Sequence, residues 1–78
     1  MKQIIDGKLY DTETAELIYT YEPPTSPFYV NYYRTKNDAY FTFGIEGITP
    51  LEEYDVKESI GKHDIDRYIE LFGPVEEA

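Results

Sequence analysis

Apolar and polar positions alternate through much of residues 28–45, and beyond residue 51 the apolar positions move to spacings of three and four. The first pattern is that of a half-buried strand, the second that of an amphipathic helix. Phe28 to Arg34 and Ala39 to Ile45 therefore read as the arms of a β-hairpin around the polar turn Thr35-Lys36-Asn37-Asp38. A four-residue loop sets Arg34 opposite Ala39, Tyr32 opposite Phe41, Val30 opposite Phe43 and Phe28 opposite Ile45. In that register Phe28, Val30, Tyr32, Phe41, Phe43 and Ile45 share one apolar face. Tyr29, Asn31, Tyr33, Tyr40 and Thr42 form the opposite, polar-aromatic face.

Upstream, Ile4-Ile5 and Lys8-Leu9 flank Asp6-Gly7, a favoured two-residue hairpin turn because both residues tolerate positive φ. Asp11 or Thr12 is placed to cap a single helical turn. Leu17 to Tyr21 reads as a strand with Leu17, Tyr19 and Tyr21 on one face and Ile18 and Thr20 on the other. Pro23, Pro24 and Pro27 then make a stiff connection without regular structure.

Downstream, Gly44 and Gly47 bracket a turn, and Ile48-Thr49 adds a short edge strand before Pro50. Val56 and Ile60 mark a first helix that Gly61 is expected to end. Ile65, Tyr68, Ile69 and Phe72 form the apolar stripe of a second, with Asp64 as its N-cap and Gly73-Pro74 as its stop. The expected fold is α+β: a small antiparallel sheet of three to five strands packed against one or two C-terminal helices. Residues 1–78 form a single domain, mainly hairpins in 1–50 and helical in 51–73, with 74–78 a frayed tail.

Sixteen acids against seven bases give a formal charge of −9 at neutral pH. A chain this charged stays disordered when it lacks apolar residues, but nine tyrosines and four phenylalanines supply a core. There is no cysteine, which excludes disulfides and thiolate metal sites. No apolar run approaches a membrane span, and the start Met1-Lys2-Gln3-Ile4-Ile5-Asp6 lacks a signal-peptide core, so the expected location is the cytoplasm of a host cell.

Catalytic chemistry finds few footholds. Ser26 lies between prolines and Ser59 in an acidic helix, neither in the strand-turn-helix setting of a nucleophile elbow. His63 is the single histidine; with Asp64 and Asp66 it is the one place a weak divalent site or small enzyme centre is weighed, but neighbours on a helix do not face each other. Phosphate-loop, dinucleotide, EF-hand and zincin patterns are missing from the sequence. The expectation is a protein that is not an enzyme and uses no cofactor or metal. Direct nucleic-acid binding is disfavoured as well, because the net field repels a polyanion.

The charge is concentrated. Residues 46–78 hold ten acids and three bases, a local −7. Helix residues three or four apart stand about 5–6 Å from one another, so an acidic helix pair can present charge to a groove built for a phosphate backbone, as a DNA mimic. The carriers expected to bind a basic protein partner are Glu52, Glu53, Asp55, Glu58, Asp66 and Glu70. That reading requires them to point outward without neutralisation by Lys57, Lys62 and Arg67. The alternative is a structural or regulatory adaptor, or a homodimer, using Tyr29, Tyr33 and Tyr40 as one sheet face.

The runs from Ile5 to Ala15 (IDGKLYDTETA) and from Tyr33 to Phe41 (YRTKNDAYF), with the ending Tyr68-Ile69-Glu70-Leu71-Phe72-Gly73, cover 26 of the 78 residues, a third of the chain. Together they resemble a family of very small uncharacterised proteins carried by phages and mobile elements of Gram-positive bacteria. The family has no catalytic residues to transfer. Some small acidic phage proteins of this general kind are anti-CRISPR or anti-restriction inhibitors that occupy a nuclease's nucleic-acid site. The resemblance therefore implies such an inhibitor, with a CRISPR effector or other nucleic-acid-binding protein as partner. The sequence departs from the family pattern after the Phe41 strand, where Gly44-Ile45-Glu46-Gly47-Ile48 stands for a longer glycine-rich insertion.

Overall fold

The computed structural model describes residues 1–78. In chain order it contains strands β1 (Lys2–Ile5), β2 (Lys8–Asp11), β3 (Glu16–Tyr21), β4 (Val30–Arg34), β5 (Tyr40–Gly44) and β6 (Gly47–Leu51), then helices α1 (Glu53–His63) and α2 (Ile65–Phe72). β1 and β2 form a separate two-stranded hairpin, and β3-β4-β5-β6 form a four-stranded antiparallel meander. The fold is α+β, as its hydrophobic periods imply. No helix is long and apolar enough to cross a membrane.

Local turn chemistry sets several boundaries. Asp6 and Gly7 have φ of 51° and 76°, the paired positive values of a twist-matched two-residue hairpin turn. Asp11 caps a single turn, as expected: its Oδ1 accepts from the Glu13 N–H at 2.9 Å and its carbonyl from the Ala15 N–H, four residues on, at 3.0 Å, and the turn leads into β3 without continuing as a helix. The Asp64 carboxylate caps α2, accepting from the Arg67 N–H at 3.0 Å.

The β4–β5 register differs from the expected one by a single residue. Arg34 pairs with Tyr40, Tyr33 with Phe41, Tyr32 with Thr42 and Asn31 with Phe43. The cause is a five-residue loop, Thr35 to Ala39. The Thr35 N–H donates to the Ala39 carbonyl at 2.8 Å, and Asp38 takes up the additional residue with φ at 60°. A one-residue slip moves alternate side chains to the other face. Phe41 and Phe43 therefore lie on one side with Tyr33, while Val30, Tyr32 and Tyr40 lie on the other.

Both sides are covered. Beneath the β1–β2 hairpin, Tyr10, Phe41 and Ile48 are buried, with Tyr10 edge-on to Phe41 at 5.5 Å between ring centroids. Beneath the helices, Ile18, Tyr32, Tyr40, Val56 and Ile60 form the second core. Phe41 and Ile60 are fully enclosed, and each burial contributes about 1.5–3 kcal/mol.

A bulge at Ile18 further alters the expected faces of β3. Leu17 pairs with Tyr33 but Tyr19 with Tyr32, so Ile18 falls outside the pairing and joins Tyr19 and Tyr21 on the helix side. The Ile18 carbonyl accepts from Arg67 Nε at 2.7 Å, which ties α2 to this strand.

Gly61 does not end α1, which continues to His63. A Cβ at Gly61 would lie 3.3 Å from Cδ2 of Tyr68, so its bare backbone is where α2 approaches α1. The apolar stripe of α2 is split as well. Tyr68, Leu71 and Phe72 pack inward, whereas Ile65 and Ile69 are 66% and 39% exposed.

Candidate functional site

The helices follow directly from the sheet edge, because β6 ends at Leu51 and α1 begins two residues later. Glu52 occupies the N-cap with extended backbone and makes no side-chain capping bond. Glu53 and Asp55 sit in the first turn, and Lys62 and His63 in the last, the arrangement the helix dipole favours. Val56 and Ile60 hold the inner face against the sheet, which leaves the charged positions outside.

All six acids expected to carry partner binding, Glu52, Glu53, Asp55, Glu58, Asp66 and Glu70, are exposed. They are not equally free. Glu53 pairs with Lys57 at 2.9 Å, and Glu70 with Arg67 at 3.3 Å. Lys57 Nζ also stands 5.2 Å from the centre of the Phe72 ring. The bond to Glu53 raises the Lys57 pKa above its usual value. Glu52, Asp55, Glu58 and Asp66 form no ion pair. The Glu58 carboxylate, first as a hydrogen-bond acceptor for the Tyr54 phenol and then through its negative charge, raises the pKa of that phenol, which stands in solvent beside it.

Two open recesses organise the α1 acids. One of about 370 Å³ is lined by Glu52, Glu53 and Asp55 together with Lys8 and Asp38. A second, of about 310 Å³, is lined by Asp55, Glu58, Ser59, Lys62 and His63. Asp55 belongs to both. Asp38 joins the acidic end of α1 only through the β4–β5 turn, and no spacing in the sequence relates it to Glu52. A larger recess of about 510 Å³ lies away from the helices, with Lys8, Lys36, Thr14 and Asp11 among its walls.

The tyrosine surface does not form. Tyr29 precedes β4 and is exposed, but Tyr33 stacks on Phe41 at 5.0 Å and 11° on the hairpin side. Tyr40 is only 6% exposed and belongs to the core beneath the helices. The shifted register separates Tyr33 from Tyr40 across the thickness of the sheet, so these three residues do not make one interface.

His63 stacks on Tyr21 with centroids 4.3 Å apart. Ser59 shares a hydrogen bond of 2.7 Å with the Tyr32 hydroxyl, joining α1 to β4. No three His, Asp or Glu side chains converge into a metal-ligand set. What the outer helical surface offers is an array of fixed negative charges, three of them within one turn and a half of α1, reaching into solvent over an ordered base. Such an array attracts and orients a cationic surface at a range set by the Debye length, about 10 Å at 0.1 M salt. Comparison with protein-family models, with curated proteins and with solved structures finds no match to this chain.

Proposed function

We propose that this chain is a small acidic inhibitor that binds a basic protein surface, of the kind a phage or mobile element directs at the nucleic-acid site of a host defence nuclease such as a CRISPR effector. The observation that carries this reading is the set Glu52, Asp55, Glu58 and Asp66, exposed on two adjoining helices and free of ion pairs. Of the three cations on the same helices, Lys57 is engaged by Glu53, Arg67 by Glu70 and the Ile18 carbonyl, and Lys62, which forms no ion pair, lines the recess of Asp55 and Glu58.

Binding would use the same physics as the nucleic acid it displaces. A channel lined with Lys and Arg attracts negative charge irrespective of its chemical origin, and association is fast at low salt and weaker as salt rises. The inhibitor needs no catalytic residue for this. It needs charge at fixed positions, and helices hold charge more closely than a flexible tail of the same composition.

The test adds the purified protein to a CRISPR effector loaded with guide RNA and measures target-DNA binding and cleavage at low and high salt. Inhibition that weakens with salt is expected, with loss of inhibition in the combined variant Glu52→Gln, Asp55→Asn, Glu58→Gln, Asp66→Asn. Full nuclease activity at every salt concentration, together with no salt-sensitive partner retained from host lysate, would overturn the proposal.

A further inference from the structure

We propose that the groove between α1 and α2 takes an apolar side chain from a cationic amphipathic helix of the partner protein. This rests on the reading of the helices as the partner-binding side and adds to it a point of anchorage. The groove has a volume of about 260 Å³ and is lined by Gly61, Ile65, Tyr68, Ile69 and Val75. Its floor is where Gly61 meets the Tyr68 ring. Ile65 and Val75 stand 66% and 58% exposed, so an occupant that covers them removes apolar area from water.

The surroundings identify the occupant. Ile65 and Ile69 are one turn apart on α2, and Asp66 and Glu70 repeat the spacing one position further round. Glu76 and Glu77 follow Val75 directly. Arg67 is the one cation of α2, and its guanidinium is held by the Ile18 carbonyl and Glu70. Lys62, next to Gly61, lines the separate recess with Asp55 and Glu58. An apolar strip with an acidic border matches a helix whose apolar anchors at three- and four-residue spacing are bordered by Lys and Arg. A second copy of this chain fits poorly, because Asp66, Glu70, Glu76 and Glu77 of both copies would gather around one dry contact. Nucleic acid supplies neither the apolar anchor nor the positive charge.

The experiment titrates the full chain with two synthetic helical peptides, by calorimetry and by amide chemical shifts. One peptide carries Leu every three to four positions among lysines; the other replaces each Leu by Ser at equal charge. Expected is at least about tenfold tighter binding of the Leu peptide, equivalent to about 1.4 kcal/mol, with shifts grouped in residues 61–75. The double variant Ile65→Ser, Ile69→Ser should erase that difference while melting at the wild-type temperature. Equal affinity for the two peptides, a Leu preference that persists in the double variant, or shifts grouped elsewhere would each overturn the groove assignment. The two proposals fail separately. Nuclease inhibition unaffected by Ile65→Ser, Ile69→Ser discards the groove and keeps the inhibitor; groove binding without nuclease inhibition does the reverse.

Discussion

The β1–β2 hairpin covers one side of the four-stranded sheet with Tyr10 and Ile5 against Phe41, Ile48 and Phe43. Two helices cover the other with Val56, Ile60, Tyr68, Leu71 and Phe72 against Ile18, Tyr32 and Tyr40. Charge divides along the chain in the same sense. Residues 1–45 hold six acids and four bases, and residues 46–78 hold ten acids and three bases. The hairpin reaches the sheet with Ile5 and Tyr10 and turns Lys2, Gln3, Ile4, Lys8 and Leu9 to solvent, an outer face with no exposed acid in its strands. A helix buries one stripe and leaves more than half its circumference outside, and here that surplus is where the acids are. Both sides are thus core and surface, but the exposed acids are concentrated on the side with the helices.

The comparison is broken most severely by emptying either core. Phe41→Ala should cost about 3–5 kcal/mol and Ile60→Ala about 2–5 kcal/mol, large fractions of the roughly 5–15 kcal/mol that a small domain possesses. Urea unfolding followed by circular dichroism and tyrosine fluorescence measures both. Coincident transitions in each variant are expected if the two sides form one cooperative unit. An Ile60→Ala protein that loses helical signal first, with the sheet intact, would show that the display surface can detach from its base.

A smaller effect isolates the tie between α2 and the sheet. Arg67→Met keeps much of the aliphatic stem but removes the donor to the Ile18 carbonyl, and should cost about 1–2 kcal/mol. Hydrogen exchange should quicken in α2 and at the β3 bulge and remain unchanged in β1 and β2. Uniform acceleration across the chain would deny α2 a distinct attachment.

The smallest expected effect is alkaline. Partial burial, then the nearby Asp64 charge, raises the Tyr19 phenol above its ordinary value of 10.0. A raised native pKa means that the folded chain keeps this proton longer than the unfolded one. Its stabilising contribution is complete below pH 10 and is lost as pH rises through the native value. The melting temperature of Tyr19→Phe should therefore fall less steeply above pH 10 than that of the wild type, and equal slopes would count against the shift.

Features decided by a few adjacent residues were legible in the sequence. Asp6-Gly7 needs only two positive φ values, Asp64 only an orphan N–H at Arg67, and Gly73 ends α2 with its own φ of 91°. The exposure of Glu52, Asp55, Glu58 and Asp66 was legible too, since unpaired carboxylates avoid burial. What was not legible depends on coverage. With aromatics buried on both faces, Tyr32-Tyr33 and Tyr40-Phe41 give no contrast between inside and outside, and the choice between a four- and a five-residue loop passes to Asp38. The same cause dissolves the Tyr29, Tyr33 and Tyr40 surface. Gly61 reads as a helix end until Tyr68 is seen against it, and Ile65 reads as core until Arg67 is seen holding α2 to Ile18.

The groove, and the place of Asp66 in the acidic set, depend on how α2 is turned about its own axis, with Leu71 and Phe72 inside and the Ile65 strip facing solvent beside Asp66. Hydroxyl-radical footprinting of the dilute protein reads this directly, residue by residue. Rapid labelling of Ile65, at a rate near that of the exposed Ile45, with protection of Ile60 and slow labelling of Leu71, is the expected result. Protection of Ile65 to the level of Ile60 would contradict it and remove the ground beneath the groove, and would take Asp66 out of the acidic set while leaving Glu52, Asp55 and Glu58 in place.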